Sequence, residues 1–521
     1  MGKPENRYRA LFDEEGQKIS VVWKGALIGV LVGVAVVLYR LALTSAEEIS
    51  FAVYAYIRSH TGWIPALFLG LGALGYGVGL LVSKYRAISG SGIPQVKGIM
   101  TGYMETGWFS TFLAKFLGGT LSILAGLSLG REGPSIQLGA SLAQGVGDKL
   151  AKTRAERKIL IASGASAGLA AAFNAPLAGV MFAMEEIFKY ISPLILLSTM
   201  VSAIVADCVS RIVFGAAPVF SFTIQSGIPL RSYWLVCLVG VLLGGAGAAY
   251  NWVLLKTQAL YKKIARGDVR VRMIVPFLLA GVAGLLFPVV LGGGHAVVEK
   301  LELSTGISFL LLVLLVKFAF SMFSFGAGAP GGIFFPLLII GGTIGAVIAN
   351  VAVNYWSIDA ALFENVVILA MAGYFAAIVR APFTGIILLL EMTGSFVDLL
   401  PLALVAILAS TVADLIKSVP IYDALLHTLV QEQGTKDCED SGGKKITLET
   451  VVHEGAAAAE KCVRDLGLPA NCLLIAIRRE GKDIIPKGDT RIRAYDYLIF
   501  LVNVEEEARQ RARIEEIAAA G

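Results

Sequence analysis

The stretch GREGPS, residues 130–135, places the carboxylate of Glu132 between two glycines in the middle of an apolar region. An ionisable side chain at bilayer depth costs about 3 kcal/mol or more on insertion scales, so the default interpretation is a functional residue. The alternative is that Glu132 only pairs with Arg131. Adjacent residues on one helical turn do not face each other well, which counts against that alternative.

The composition around this stretch is that of a membrane protein. Only 16% of the 521 residues are charged and 56% are hydrophobic, whereas an ordinary soluble domain has about 25% charged residues. Charge-free stretches of about 20 residues or more, enough to cross a bilayer, occupy residues 61–83, 159–184, 273–298 and 318–358. The first 430 residues are therefore predicted to form a polytopic membrane protein, and a soluble enzyme is excluded.

Glycine, proline and serine interrupt the apolar stretches at residues 89–94, 128–135, 173–179 and 326–336. Irregular backbone at membrane depth leaves peptide groups that lipid cannot satisfy, so such breaks are tolerated only inside protein or along a hydrated cavity. The sequence therefore predicts broken helices around a pathway.

The two halves of this region match each other weakly. APLAG at residues 175–179, followed by Glu185, resembles APFTG at residues 381–385, followed by Glu391, and each position is shifted by 206 residues. Chance similarity between Gly- and Ala-rich helices is the alternative. Secondary transporters build midplane sites from two such halves, which are either parallel or inverted.

The charge pattern fits a membrane protein better than a nucleic-acid-binding one. The 44 basic and 39 acidic residues give a net charge of +5, and basic residues cluster in short connections at 149–158 and 262–272. This bias is typical of cytoplasmic loops. The five scattered cysteines contain no CxxC pair, so neither a disulfide framework nor a zinc site is expected, and we expect no metal or other cofactor. Residues 1–18 show no removable signal peptide.

The composition changes near residue 430. A polar, glycine-containing linker is predicted at residues 431–445. Short β-type runs follow at residues 446–452, 472–478 and 497–502, with turns at 480–482 and 488–490, and a charged helix is predicted at 505–520. We interpret this part as a small soluble α+β module.

Three further segments could contact an ion. GSGIP at residues 90–94 fits a loop that enters a helix with exposed amide groups, which favours an anion, although glycine-rich turns are common. GAPGGIFFP at residues 328–336 can form an anion-binding concavity or serve close helix packing. The hydroxyl of Tyr422 could donate to an anion, or Tyr422 could be a membrane-interface residue.

Together these segments describe a site for a small, weakly hydrated anion, with hydroxyl and amide donors and no nearby lysine cluster. The carboxylate of Glu132 would compete with a bound anion. If it occupies the site when ionised and leaves when protonated, proton uptake is linked to anion movement.

With these segments in their order, the chain resembles the CLC chloride channels and chloride/proton antiporters. The matching motifs are GSGIP, GREGPS, GGIFFP and the late Tyr422, together with residues 174–186 and 380–393, and the resemblance covers about residues 20–428. It implies a homodimer with a separate anion pathway in each subunit, and an inverted repeat of broken helices.

The resemblance also implies roles for single residues. The expected chloride-binding residues are Ser91, Gly133, Ile333, Phe334 and Tyr422; two of them, Ser91 and Tyr422, offer hydroxyls, and Ile333 and Phe334 offer amides. Glu132 would be the external gating glutamate and Glu186 the internal proton-transfer glutamate. Serine at position 91 suits chloride, where proline suits nitrate. A charged helix end beside Lys189 is the alternative for Glu185 or Glu186.

The tail, residues 452–502, resembles the C-terminal domain of RCK-type regulators of potassium transport. This implies a dimerising module that senses a small-molecule ligand, although a dimer clamp that binds nothing fits as well. No GxGxxG nucleotide-binding half precedes it.

The complete prediction is an all-α polytopic membrane protein with a small cytosolic α+β domain, exchanging chloride for protons as a homodimer in a prokaryotic inner membrane, with both termini cytosolic. The expected parts are a cytosolic segment 1–19, a transport domain 20–430, a linker 431–445 and a regulatory domain 446–521. A passive chloride channel is the nearest alternative. A potassium uptake subunit is disfavoured because no TVGYG-like filter is present, and no nucleic acid is expected as a partner.

Overall fold

The computed structural model describes residues 4–189, 192–220, 222, 224, 226–264, 268–298, 300–432, 445–468, 472–479, 482–503 and 507–518. The chain divides into two compact units, Met1–Thr428 and Leu429–Gly521. Most of the predicted linker, residues 433–444, lies outside the described residues.

The first unit is helical. Its described helices are α1 (Pro4–Ser59), α2 (Ile64–Lys84), α3 (Ile93–Thr101), α4 (Trp108–Leu124), α5 (Glu132–Leu150), α6 (Arg154–Phe173), α7 (Pro176–Phe182), α8 (Pro193–Phe214), α9 (Tyr233–Ile264), α10 (Val269–Leu286), α11 (His295–Val298), α12 (Ile307–Gly326), α13 (Phe334–Tyr355), α14 (Phe363–Val379), α15 (Pro382–Thr393), α16 (Leu399–Leu415) and α17 (Ile421–Glu432). Among the described residues, eight helical segments are long and apolar enough to cross a membrane. The prediction of a polytopic membrane protein is confirmed.

The predicted breaks fall between consecutive helices. Helices α3, α7, α8 and α15 each have proline in the first turn, where its missing N–H group is not needed. Helix α7 spans seven residues and passes into a π-helical turn, Ala183–Phe188. Helix α14 is buried along nearly its whole length, so broken helices surround a fully buried one.

The two halves contact each other reciprocally. The amides of Leu177 and Ala178 at the start of α7 donate to the carboxylate of Glu391, at 3.0 and 2.8 Å. At the start of α15, the amides of Phe383 and Thr384 donate to Glu185, at 3.2 and 2.8 Å. Each glutamate thus caps the other half's helix. Identical contacts made in both directions are the mark of a two-fold relation.

The packing around these contacts repeats as well. Helix α5 packs on α6 as α13 packs on α14, and α6 packs on α8 as α14 packs on α16. The internal repeat expected from the two APxxG segments is therefore present in the fold.

The second unit is an antiparallel sheet with one described helix. Its strands are β1 (Lys445–Val451), β2 (Cys472–Arg479), β3 (Lys482–Ile484) and β4 (Tyr497–Asn503), in the order β1-β4-β2-β3, followed by α18 (Glu507–Ala518). Strand β3 was not predicted, because its three residues begin at the last residue of the predicted turn 480–482 and carry too little pattern of their own. The sheet and α18 enclose a small core that includes Leu448, Ile477, Phe500 and Ile514. The predicted α+β class is confirmed.

Close packing of α5 on α6 depends on two glycines. A Cβ on Gly164 would meet the carbonyl of Gly139 and the side chain of Ala143. We predict that Gly164→Ala lowers the free energy of unfolding by about 1–3 kcal/mol, because the helices must separate. The measurement is the thermal unfolding midpoint of the purified protein in detergent.

The matched control is Gly245→Ala in α9, where an added Cβ meets nothing within 4 Å. Each of the two substitutions replaces a helical glycine by alanine, so both raise the intrinsic helix propensity by the same amount. Equal unfolding midpoints for the two variants would contradict the packing argument.

Candidate functional site

Backbone hydrogen bonds join the three predicted glycine-rich segments. Gly130 and Gly332 each donate to the carbonyl of the other, both at 2.7 Å. Gly90 donates to Gly328 at 3.1 Å, and Gly331 donates to Gly90 at 3.0 Å. GSGIP, GREGPS and GGIFFP therefore meet at one place, although the first and last of them begin 241 residues apart, at Gly90 and Gly331.

At this junction the backbone segments lie so close together that a Cβ atom on their glycines would clash. A Cβ on Gly133 would lie 2.8 Å from the carbonyl oxygen of Ser91, and one on Gly332 would lie 3.0 Å from the nitrogen of Gly133. Gly92 has φ 94°, in the left-handed region that glycine adopts at no steric cost. The glycines are thus explained by close backbone approach.

Three helices begin at this junction: α3 at Ile93, α5 at Glu132 and α13 at Phe334. The first amides of a helix have no intrahelical partner and carry its positive dipole end. Within the described backbone, neither Ile333 nor Phe334 donates a hydrogen bond outside its helix. The junction therefore presents free amides and favours negative charge.

Two predicted site residues, Ser91 of GSGIP and Tyr422, have buried hydroxyls. Ser91 is 1% exposed, and its oxygen accepts from the amide of Ile93 at 3.3 Å, which leaves its hydrogen free to donate. Tyr422 lies in the first turn of α17, is fully buried, and its hydroxyl has no hydrogen-bond partner among the described residues. A fully buried tyrosine is not a membrane-interface residue, so that alternative is wrong.

Glu132 is the first residue of α5 and is fully buried. Its nearest cation is Arg131, with 3.8 Å between Nε and Oε1, and neither carboxylate oxygen has a hydrogen-bond partner among the described residues. A Cβ on Gly130 would meet both this carboxylate and the amide nitrogen of Phe335. Glu132 therefore lies beside the start of α13 without a tight ion pair.

A small cavity of about 20 Å³ adjoins Glu132, with room for roughly one water molecule. Glu47, Arg131 and His295 also line it, and the imidazole of His295 stacks on Phe335 with ring centroids 4.3 Å apart.

Glu186 lies in the π-helical turn and is 3% exposed. Its Oε1 accepts from Lys97 Nζ at 2.6 Å. The side chain also lines a cavity of about 390 Å³ together with Glu185, Lys189 and Asp423. Glu185 caps α15 and Lys189 pairs with Asp423 at 2.7 Å. Glu185 thus serves as a helix cap at a half-buried position, and Glu186 is buried against Lys97.

The sequence predicted no lysine cluster near the site, and two separate lysines do lie close to its loops. Lys115 is fully buried, and its Nζ donates to the carbonyls of Ile88 and Gly90, at 2.9 and 2.6 Å. Lys97 lies in α3, directly after GSGIP. Lys115 therefore supports the loop, whereas Lys97 binds the carboxylates of Glu186 and Asp423. Neither lysine lines the site as a free cation.

The same arrangement recurs in the second half. Lys317 donates to the carbonyls of Val290 and Gly292, at 2.9 and 2.8 Å. Lys317 follows Lys115 by 202 residues, as Pro336 follows Pro134. Extending the repeat comparison along α4 and α12 would have revealed these lysines from the sequence.

Within the part of the chain that the structure describes, no group of three or more His, Cys, Asp or Glu side chains is arranged to hold a metal ion.

The fold and this junction agree with the comparisons to known proteins. Residues 74–414 match the family described as voltage gated chloride channel, and residues 448–514 match the TrkA-C domain. The chain belongs to this CLC family, and its tail is an RCK-like C-terminal domain, as the sequence motifs indicated.

Named relatives are transporters, not enzymes. The chain is 31% identical to the H(+)/Cl(-) exchange transporter ClcA of Salmonella typhimurium over 447 residues, covering 83% of this chain and 94% of the relative. It is 34% identical to the ClcA of Vibrio parahaemolyticus, covering 81% and 93%.

Among solved structures, the chain is similar to a slow cyanobacterial Cl-/H+ antiporter, with a TM-score of 0.74, 29% identity, and coverage of 80% of this chain and 99% of that chain. A eukaryotic CLC transporter shares the fold with a TM-score of 0.66, at 23% identity and coverage of 79% and 74%.

Lys115 offers a test of the loop architecture. We predict that Lys115→Met lowers the thermal unfolding midpoint, because two buried carbonyls lose their donor at a cost of about 1–3 kcal/mol each. Lys158→Met, at an exposed position of α6, is the control and should leave the midpoint unchanged. A Lys115→Met protein as stable as the control would show that the lysine is dispensable for the loop.

Proposed function

We propose that this protein exchanges chloride for protons across the membrane. The observation that carries the proposal is the meeting of three helix starts around a buried carboxylate, Glu132, whose oxygens have no hydrogen-bond partner among the described residues. Free amides attract an anion, and an ionisable group beside them can exchange places with it. The names of the ClcA relatives and of the cyanobacterial antiporter support chloride and protons as the transported ions.

The chloride ion would lie between the two hydroxyls and the amides that begin α13. Ser91 and Tyr422 each have a hydroxyl hydrogen free to donate, and Ile333 and Phe334 supply backbone donors. Gly133 lets the Ser91 loop approach. Neutral dipoles hold an anion without trapping it as a free ammonium group would.

Glu132 would act as the gate. When ionised, its carboxylate takes the place of an anion beside the start of α13. When protonated, it loses its attraction for the amides and leaves the site to chloride. This competition links one proton to anion movement.

Glu186 would pass protons on the other side of the anion site. It is buried yet lines a cavity of about 390 Å³, so a proton can reach it from water. This second ionisable group favours exchange over a passive channel, which needs no proton carrier there.

The remaining proposals concern assembly and location. We propose a homodimer with both termini in the cytosol of a prokaryotic cell, in the inner membrane. The polar start of the chain, the basic connections at 149–158 and 262–272, and the bacterial relatives support this arrangement. The TrkA-C domain would regulate transport, either by binding a small molecule or by clamping the dimer.

Glu132→Gln tests the gate. We expect chloride flux to persist in reconstituted vesicles while proton uptake driven by a chloride gradient is lost, because glutamine cannot carry a proton between the two states. Glu48→Gln, at an exposed position of α1, should leave both fluxes as in the unmodified protein. Proton uptake that survives Glu132→Gln would refute the assignment.

Tyr422→Phe tests the anion site. We expect chloride binding, measured by calorimetry in detergent, to weaken about 10–100-fold, since a hydrogen bond to a charged group contributes about 1.5–3 kcal/mol. Tyr261→Phe is the matched control, because the Tyr261 hydroxyl is also buried and unpartnered within the described residues. Equal affinity in the two variants would place chloride away from Tyr422.

A further inference from the structure

A chain of four alternating charges runs from the protein interior toward the surface. Lys97 Nζ lies 2.6 Å from Glu186 Oε1 and 2.5 Å from Asp423 Oδ1, and Asp423 Oδ2 lies 2.7 Å from Lys189 Nζ. The side chains of Lys97 and Glu186 are each 4% exposed, that of Asp423 is 34% exposed, and that of Lys189 is 54% exposed. One buried ammonium group is thus shared by two carboxylates.

Because Lys97 is shared, a buried glutamate such as Glu186 can be stable in both its ionised and its protonated form. A buried carboxylate without a counter-ion stays protonated, because burial disfavours its charge. A buried carboxylate with one dedicated lysine has the opposite problem, since protonation would leave the ammonium group buried and unpaired. With Asp423 as a second partner, Lys97 remains paired whether Glu186 is ionised or protonated.

We propose that Lys97 is a positioning residue that binds both Glu186 and Asp423 while Glu186 is ionised, and Asp423 alone while Glu186 is protonated. A proton from the adjoining cavity forms the O–H bond on Glu186, and Lys97 is then paired with Asp423 alone. When Glu186 releases the proton, Lys97 again binds both carboxylates. This inference rests on the proposed exchange function and names the residues that make its inner proton step reversible.

The location of Lys97 and Asp423 ties this step to the anion site. Lys97 lies on α3, the helix that follows Ser91, and Asp423 follows Tyr422 in the first turn of α17. The ion pair therefore bridges the two helices whose starts carry the hydroxyl donors. When Glu186 is protonated, the Lys97–Asp423 ion pair strengthens, and the contact between α3 and α17 strengthens with it.

The surrounding elements carry further charged or titratable groups. They are Glu185, Arg380, His427, and on α6 Arg154, Glu156, Arg157 and Lys158. Glu185 caps α15, Arg380 donates to the carbonyls of Ser410 and Ser418, Glu156 binds Lys24, and Arg157 binds Asp148. The described ion pairs of Lys97 are those with Glu186 and Asp423.

The test is a pair of variants with opposite expected effects. In Lys97→Met, Glu186 loses its counter-ion, so the midpoint of its titration should rise by about 1–3 pH units. In Asp423→Asn, Lys97 belongs to Glu186 alone and a like charge is removed, so the midpoint should fall by about one unit. The readout is the infrared C=O stretch of the protonated carboxyl, assigned by its loss in Glu186→Gln.

Proton flux against pH on the cavity side gives a second readout in vesicles. The midpoint of this proton flux should rise in Lys97→Met and fall in Asp423→Asn. In Lys97→Arg, which keeps the charge, the midpoint should equal that of the unmodified protein. Lys158→Met is the control for removing a lysine without touching this chain of charges. Shifts in the same direction for Lys97→Met and Asp423→Asn, or no shift in either, would overturn the proposal.

The infrared titration also separates this proposal from the transport function. If the unmodified protein moves no protons with chloride, the proposed exchange is wrong, and the opposite infrared shifts still decide whether Lys97 is shared. If the unmodified protein exchanges ions but the infrared midpoints do not diverge, only the sharing of Lys97 is wrong.

Discussion

The reciprocal pair of hydrogen bonds between Gly130 and Gly332 is the constraint on which the rest of the transport unit depends. Both bonds measure 2.7 Å, and both join loops that interrupt apolar helices. Lipid offers no partner to such peptide groups, so the loops must satisfy each other. Because α5 and α13 begin two residues after these glycines, the same bonds fix where their free amides lie.

The two-fold relation repeats this backbone arrangement in both halves of the unit. The candidate site residues are found at positions where the two halves differ. Gly90 and Gly92 have positive φ, as do Gly292 and Gly294, 202 residues later. The residue between them is Ser91 in the first half and Gly293 in the second, and Glu132 corresponds to Phe334. The backbone frame is repeated, whereas the hydroxyl and the carboxylate occur in one half.

The sequence predicts most of the fold because the relevant signals are local. Charge-free stretches indicate the membrane unit, alternating apolar runs indicate three of the four described strands, and glycine-rich breaks mark the helix starts at GSGIP, GREGPS and GGIFFP. Strand β3 was missed because three residues next to a turn carry too little pattern.

Contacts between distant residues were beyond this reasoning. Lys97 and Asp423 are separated by 326 residues, and neither has a local pattern that indicates an ion pair. Lys115 was missed for a different reason: its acceptors are backbone carbonyls that no side-chain motif marks, and the repeat comparison was not extended to Lys317. The two glutamates at 185 and 186 look alike in sequence, and only packing distinguishes the helix cap, Glu185, from Glu186, which is buried against Lys97.

The most direct test of the account is the reversal potential of the unmodified protein in liposomes, with the chloride gradient fixed and the pH gradient varied. Coupled exchange predicts that the reversal potential shifts with the pH gradient, and the slope gives the stoichiometry. A reversal potential that follows chloride alone would contradict the account and make the protein a passive chloride channel.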